Sequence, residues 1–247
     1  MHALDPGGAG LAWRAVADSL PRPRAVLLAS AHWETAVPTL GSGIRHDTIH
    51  DFGGFPPELY RLRYDAPGSP EVAQQAAMLL RAAGLAPSMN DSRGLDHGAW
   101  VPLKWMYPQC DVPVVQVSVQ TALGTVHHLR LGEALAPLAA EGVLIIGSGH
   151  ATHNLRDWFA HHADPHPLDY IVQFSQWLQE QLAADDRDSL LSYRARAPSA
   201  ARAHPTEEHF LQLFVALGAA GKDAKASRVY SAIDGAALSM DAYLFER

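Results

Sequence analysis

The stretch Val114-Val-Gln-Val-Ser-Val-Gln-Thr-Ala-Leu-Gly-Thr-Val-His-His-Leu-Arg-Leu-Gly-Glu-Ala-Leu-Ala-Pro-Leu-Ala-Ala-Glu-Gly-Val-Leu-Ile-Ile146 decides the fold. Val114–Val119 is a short run rich in β-branched residues and reads as a strand. Val126–Ala140 carries apolar residues at helical spacing, and Val143–Ile146 returns to a buried strand. A β-α-β order of this kind favours a right-handed crossover and parallel neighbouring strands. Working outward, Leu11–Leu20 reads as a helix ended by Pro21-Arg22-Pro23, and Ala25–Ala31 as a further buried strand. Ser69-Pro70 has the form of an N-cap followed by proline in the first turn. Val72, Ala76, Leu79, Leu80 and Ala83 then form an apolar stripe before Gly84. Leu168–Leu182 and Thr206–Ala220 read as later helices, the second capped by Thr206 and closed by Gly221. Val229–Ile233 and Leu238–Phe245 read as a closing strand pair around the Asp234-Gly235 turn. The pattern predicts an α/β fold, one domain over residues 1–247, with a central mostly parallel or mixed sheet flanked by helices.

Composition narrows the function classes. The chain has 247 residues, 48% of them hydrophobic, enough for a substantial core. A net charge of −7, with its 19 Lys and Arg residues spread thinly, argues against nucleic acid as a partner, because phosphate contacts need clustered cations. No apolar run approaches about 18 residues, which argues against a membrane span. The single Cys110 excludes an intrachain disulfide, and no basic start followed by an apolar segment marks secretion, so a cytoplasmic location is expected. No glycine fingerprint for a dinucleotide is present, and neither nicotinamide nor flavin is implied.

Three histidines stand where strand ends or helix starts can aim side chains into a common cleft: His32, His153 and His209. Neutral imidazole is the commonest metal ligand and the usual general base near pH 7, so such a gathering suggests metal chemistry. His150, three residues before His153, reads equally well as a pocket residue or a support. The segment from Asp47 to Tyr60 contains His50, Phe52, Gly53 and Gly54, and reads equally as an aromatic pocket wall and as a packed loop. Asp96-His97-Gly98-Ala99-Trp100 places an acid beside a histidine, an arrangement more often structural than catalytic. His127, His128, His161, His162 and His166 read as solvated or capping groups.

Taken together, the motifs resemble the class III extradiol ring-cleavage dioxygenases, in their DOPA-dioxygenase-like, LigB-like branch. The matching stretches are Ser30–Thr35, His50–Pro56, Asp96–Trp100, Gly147–Leu155, His204–Phe210 and Ser239–Tyr243, in the family's order along nearly the whole chain. Any one is weak; six in order are specific. The resemblance implies that His32 and His209 bind the metal. It implies that His153 acts as acid and base beside the metal, as a further candidate ligand, and that His97 meets the substrate. Asp96 and Asn154 would orient imidazoles, and His50, Phe52, Trp100 and His150 would line or support the pocket. Glu207 and Glu208 stand close to His209, so a carboxylate ligand stays open on sequence grounds, while the family match favours His209.

The implied reaction inserts O₂ into a catechol at non-haem Fe(II), outside the two hydroxyls, giving a muconic semialdehyde; DOPA and other 3,4-dihydroxyphenyl compounds are the implied substrates. Zn(II) is the alternative metal. Two other functions compete: a zinc hydrolase using the same histidines, and a metal-free binding protein on the same scaffold, as in the Memo proteins. Members of this branch begin with a strand leading into a Ser-His-Gly-Ser-Pro motif whose histidine is a further ligand. The sequence starts just after the matching point, at a segment like Met1–Gly7: either its start is assigned too far downstream, or the chain has one ligand fewer and is expected to bind metal weakly, His2 being disfavoured as a substitute because a free terminus is usually mobile.

Overall fold

The computed structural model of the chain describes residues 3–246; His2 lies outside them. Strand β1 (Ala25–Glu34) is apolar along its first half because both its faces are covered. Leu27 and Ala29 enter the core on one face and Val26 and Leu28 the core on the other, all without solvent contact. Around it lie β2 (Thr39–Gly41), β3 (Ser88–Asn90), β4 (Val114–Val119) and β5 (Val143–Ser148), in the order β3-β2-β4-β1-β5. β1 runs parallel to β4 and β5, β2 runs parallel to β3, and β2 meets β4 antiparallel, so the sheet is mixed and mostly parallel. β4 and β5 are parallel as expected from the β-α-β order, but they are not neighbours: β1, earlier in the chain, sits between them.

The helices are α1 (Gly7–Ser19), α2 (Pro70–Ala82), α3 (His97–Met106), α4 (Gly124–Ala140), α5 (Leu155–His161) and α6 (Asp169–Ala183). Three short ones, α7 (Arg187–Leu191), α8 (Tyr193–Arg196) and α9 (Ala200–Ala203), precede α10 (Leu211–Ala220). α2, α4 and α10 cover one face of the sheet through residues such as Ala76, Leu135 and Val215. Trp100 and Leu103 of α3 and Ala17 of α1 cover the other. Phe174, Tyr193, Phe210 and Phe214 build a second core between α6 and α10. The Ser69 cap forms as expected, its hydroxyl accepting the Val72 N–H at 3.3 Å.

Two elements depart from expectation. The helix expected over 206–220 begins only at Leu211, because the segment before it is held by tertiary bonds. His204 is fully buried, with Nε2 2.8 Å from the Ala151 carbonyl, and the Thr206 hydroxyl bonds Glu208 rather than a helix amide. The closing strands form two nested antiparallel pairs, β6 (Lys225–Tyr230) with β9 (Ala242–Glu246) and β7 (Ile233–Asp234) with β8 (Leu238–Ser239). The register breaks at Arg228/Tyr230, and the inner pair turns inward to hold Thr152, whose Oγ1 accepts the Ser239 N–H at 2.7 Å.

β5 is an edge strand. No strand among the described residues pairs with its outer side, and Leu144–Ser148 are only half-buried. They face a cavity of about 630 Å³ between α1 and α3 on one flank and α10 and β9 on the other.

Candidate metal centre

Parallel strands end on the same side of a sheet, and side chains just past those ends share one crevice. His32 lies near the end of β1, and β5 runs on into Gly147-Ser-Gly-His150-Ala-Thr-His153. His209 arrives from the turn ahead of α10. The close approach of that turn requires Gly149, because a Cβ there would collide with the His209 carbonyl oxygen. The backbone is then pinned: the His150 N–H donates to the His209 carbonyl at 3.0 Å and the His153 N–H to the Ala203 carbonyl at 2.8 Å. The His153 and His209 rings stack at 3.4 Å between centroids, and His150 lies 5.3 Å and 5.5 Å from them. Nitrogens of these three residues lie within 4.8 Å of one another, a spacing that can hold a cation. The His32 ring stands edge-on to His209 at 5.0 Å and beside His97 at 3.9 Å.

His97 opens α3. Asp96 caps that helix, its Oδ1 accepting from the Ala99 N–H at 3.2 Å and from the Ser30 hydroxyl at 2.6 Å. Its Oδ2 accepts from Gln116 at 2.5 Å and Arg93 at 3.1 Å. This fully buried carboxylate therefore locks α3 onto β1 and β4, and Gly98 lets the helix approach, since a Cβ there would strike the Ser30 hydroxyl. The carboxylate that reaches the imidazoles is a different one, Asp51, 2.9 Å from His97 Nδ1 and 3.4 Å from His32 Nδ1.

Burial dominates the electrostatics. It pulls His153 down to about 4 and His150 to about 3, and it holds His209 well below its ordinary value, in each case reinforced by neighbouring imidazoles. His32 is lowered by burial and by His97, against the opposing pull of Asp51 and Asp96. Burial alone would raise Asp51, but its contacts with His97 outweigh this and bring its carboxyl down to about 2. The deep histidines are thus neutral at pH 7, and Nδ1 of both His150 and His209 is buried without a hydrogen-bond partner. Orphaned neutral nitrogens at this spacing fit a bound cation, which would replace the missing bonds.

The structure brings together His32, His97, His150, His153 and His209. It corrects the expectation that Asp96 and Asn154 orient imidazoles by hydrogen bonding. Asn154 caps α5, accepting the Asp157 N–H at 3.0 Å and donating to the Arg202 carbonyl at 2.8 Å. Asp96 is a cap because a residue just before a helix turns its side chain back to the helix amides, away from the side chain that follows it. Glu207 accepts from the Tyr193 hydroxyl at 2.8 Å and Glu208 from Thr206 at 2.9 Å. Neither carboxylate belongs to a donor cluster among the described residues. Phe52 lines the cavity and packs against His97 at 5.4 Å, while His50 is held outward by the Leu62 carbonyl at 3.0 Å, between Phe52 and Trp100. Trp100 is fully buried and donates to the Ile49 carbonyl at 2.9 Å. His128, expected at a solvated or capping position, is fully buried: its Nε2 accepts the Gln120 N–H at 3.1 Å, and its Nδ1 lies 2.7 Å from the Gly124 carbonyl. Asp51 was missed by sequence reasoning. Its signal was its place beside His50 in the matched His50–Pro56 stretch.

Residues 11–238 match the family described as the catalytic LigB subunit of aromatic ring-opening dioxygenase. The chain is 45% identical over 229 residues to a 4,5-DOPA dioxygenase extradiol of Beta vulgaris, covering 91% of this chain and 83% of that one. A protein of the same description from Escherichia coli K12 is 35% identical over 224 residues, covering 89% and 81%. The crystal structure of an uncharacterised Escherichia coli K12 protein superposes with a TM-score of 0.80 at 30% identity, covering 95% of this chain and 91% of that one. Catechol-type aromatics and O₂ are the reactants this family implies. The histidine crevice at the strand ends is thus built on a chain that belongs to the LigB family of extradiol aromatic ring-opening dioxygenases.

Proposed function

We propose that the chain opens the ring of a 3,4-dihydroxyphenyl compound of the DOPA class, with Fe(II) held by His32 and His209 and with His153 as acid and base. The observation that carries this reading is the convergence of neutral imidazoles at the inner end of a largely apolar cavity. Fe(II), when bound, supplies one centre at which adjacent hydroxyls and O₂ can meet. His153, neutral at physiological pH, is ready to take a proton from a phenolic oxygen and to return it as the ring opens. His97, next to His32 and against Phe52, is positioned to meet the substrate. Phe52 and Phe55 wall the crevice with apolar surface, which fits a flat ring and excludes water.

The test is to load the purified chain with Fe(II) without oxygen, add DOPA and then O₂, and follow oxygen uptake and the yellow semialdehyde. Coupled uptake and colour are expected. A chain that ignores both oxygen and catechols, yet hydrolyses an ester or amide with Zn(II), would overturn the proposal.

A further inference from the structure

Strand β1 loses its ladder where it reaches the crevice. It pairs with β4 up to Ala29 and with β5 up to Ser30, and its register with β4 resumes only at Glu34. His32 lies inside that break, so its backbone groups take other partners. Its N–H donates to the Ser30 hydroxyl at 3.2 Å, and its carbonyl accepts from Arg93 Nη2 at 3.1 Å. Both partners end on one carboxylate: the Ser30 hydroxyl donates to Asp96 Oδ1 at 2.6 Å, and the same Arg93 nitrogen donates to Asp96 Oδ2 at 3.1 Å. We propose that Ser30 and Arg93 are positioning residues for His32, and that Asp96, through them, sets from the backbone where the His32 ring stands in the crevice.

The chemistry of each group suits this use. A serine hydroxyl has one proton to give and lone pairs to receive with, so Ser30 can stand between the His32 amide and Asp96. A guanidinium Nη carries two protons, one for each of its two acceptors here. Asp96 and Ser30 are fully buried and cannot trade these bonds for water. The Arg93 guanidinium lies over the Trp33 ring at 4.8 Å, and the Arg93 N–H donates to Asn90 Oδ1 at 2.8 Å, so the arginine is held at both ends. The same carboxylate caps α3 through the Ala99 N–H, and α3 begins at His97. Asp96 thus governs the backbone of two crevice histidines while its oxygens bond to neither ring. Gln116 offers an internal control. Its amide donates to Asp96 Oδ2 at 2.5 Å and its own oxygen is buried without a partner, so it shares the carboxylate without reaching His32.

The inference rests on the proposed function only for what His32 holds; the backbone itself is read without metal. In the metal-free ¹⁵N-labelled chain, the His32 amide is expected to be protected from hydrogen exchange although it lies in the break of the ladder. Ser30→Ala should speed that exchange by about 2- to 10-fold, the loss of one hydrogen bond, with the amides of Val26–Leu28 unchanged. Ser30→Ala and Arg93→Met are each expected to weaken Fe(II) binding, titrated without oxygen, by about 10- to 100-fold. Arg93→Lys should recover part of that loss, because it restores a donor. Gln116→Met should lower the melting temperature and leave Fe(II) affinity near the wild-type value. A wild-type His32 amide that exchanges like an unbonded one would overturn the proposal whether or not any variant folds. So would Fe(II) binding that stays unchanged in Ser30→Ala and Arg93→Met while His32→Ala abolishes it, or an equal loss in Gln116→Met, which would mean general loosening. Full metal retention by His32→Ala, with the exchange results as expected, would instead count against the proposed function alone.

Discussion

The two halves of the histidine crevice are built on different principles. His150, His153 and His209 lie deep, pressed together without a carboxylate in their cluster, and burial keeps them uncharged. His32 and His97 lie nearer solvent and are joined by Asp51. Uncharged nitrogens without hydrogen bonds have nothing to lose on meeting a cation, so the deep half favours affinity. The shallow rings instead share a carboxylate neighbour, so that half is distinguished by a charge beside it rather than by burial alone.

That contrast can be broken by substitution. The largest effect is expected for His209→Ala, which should remove nearly all bound Fe(II), read by elemental analysis, and turnover with it; a variant that keeps its metal would place affinity elsewhere. His153→Ala should lower turnover by about 10²- to 10⁴-fold, the usual worth of a positioned acid and base, while bound metal falls much less. Equal losses would make His153 chiefly a ligand. His97→Ala should leave metal near the wild-type level and slow catechol cleavage by less than His153→Ala does; unchanged kinetics would assign His97 to the scaffold.

The smallest and most general test uses pH. A histidine whose folded pKa lies below its unfolded value of about 6.5 takes up its proton first in the unfolded chain. Its contribution to stability is therefore present above pH 6.5 and lost as pH falls toward the folded value. His204 at about 3 and His128 at about 4 are fully buried and act in this window with the deep half of the site. Each should weaken the metal-free fold by up to about 1.4 kcal/mol per pH unit there. Asp51 behaves differently: depressed to about 2, its contribution persists until much more acid conditions. The melting temperature should thus drop between pH 7 and 5, and bound Fe(II) should raise it throughout without flattening the drop, because the folded imidazoles stay unprotonated in that window with or without the ion. A flat profile would mean that the deep imidazoles are solvated.

Much of this architecture was legible in the sequence because local and tertiary preferences agree. Ser69-Pro70 forms the cap its chemistry predicts, and the valine run of β4 is a strand over the expected residues. Where they disagree, local reading fails. β2 and β3 are three residues each, too short for a periodic signal. The 204–210 segment has helical composition, yet its bonds to Ala151 and His150 draw it out of a helix and deliver His209 to the crevice. The histidines could be picked out by their positions after strands and by the family motifs. Their carboxylate partner could not: Asp96 adjoins His97 in sequence but turns back to cap α3, while Asp51 arrives from 46 residues away.

Among the described residues no strand pairs with the outer side of β5, and this has a dynamic consequence. A strand paired on one side only is the cheapest part of a sheet to peel, and its outward amides should exchange with solvent long before those of β1, which is paired on both sides. β5 leads without interruption into Gly147–His153, so local opening there would pull two imidazoles out of the deep cluster while the rest of the molecule stays folded. A bound cation would close that motion by tying the end of β5 to His209, and amide protection along Val143–Ser148 would rise and fall with metal occupancy.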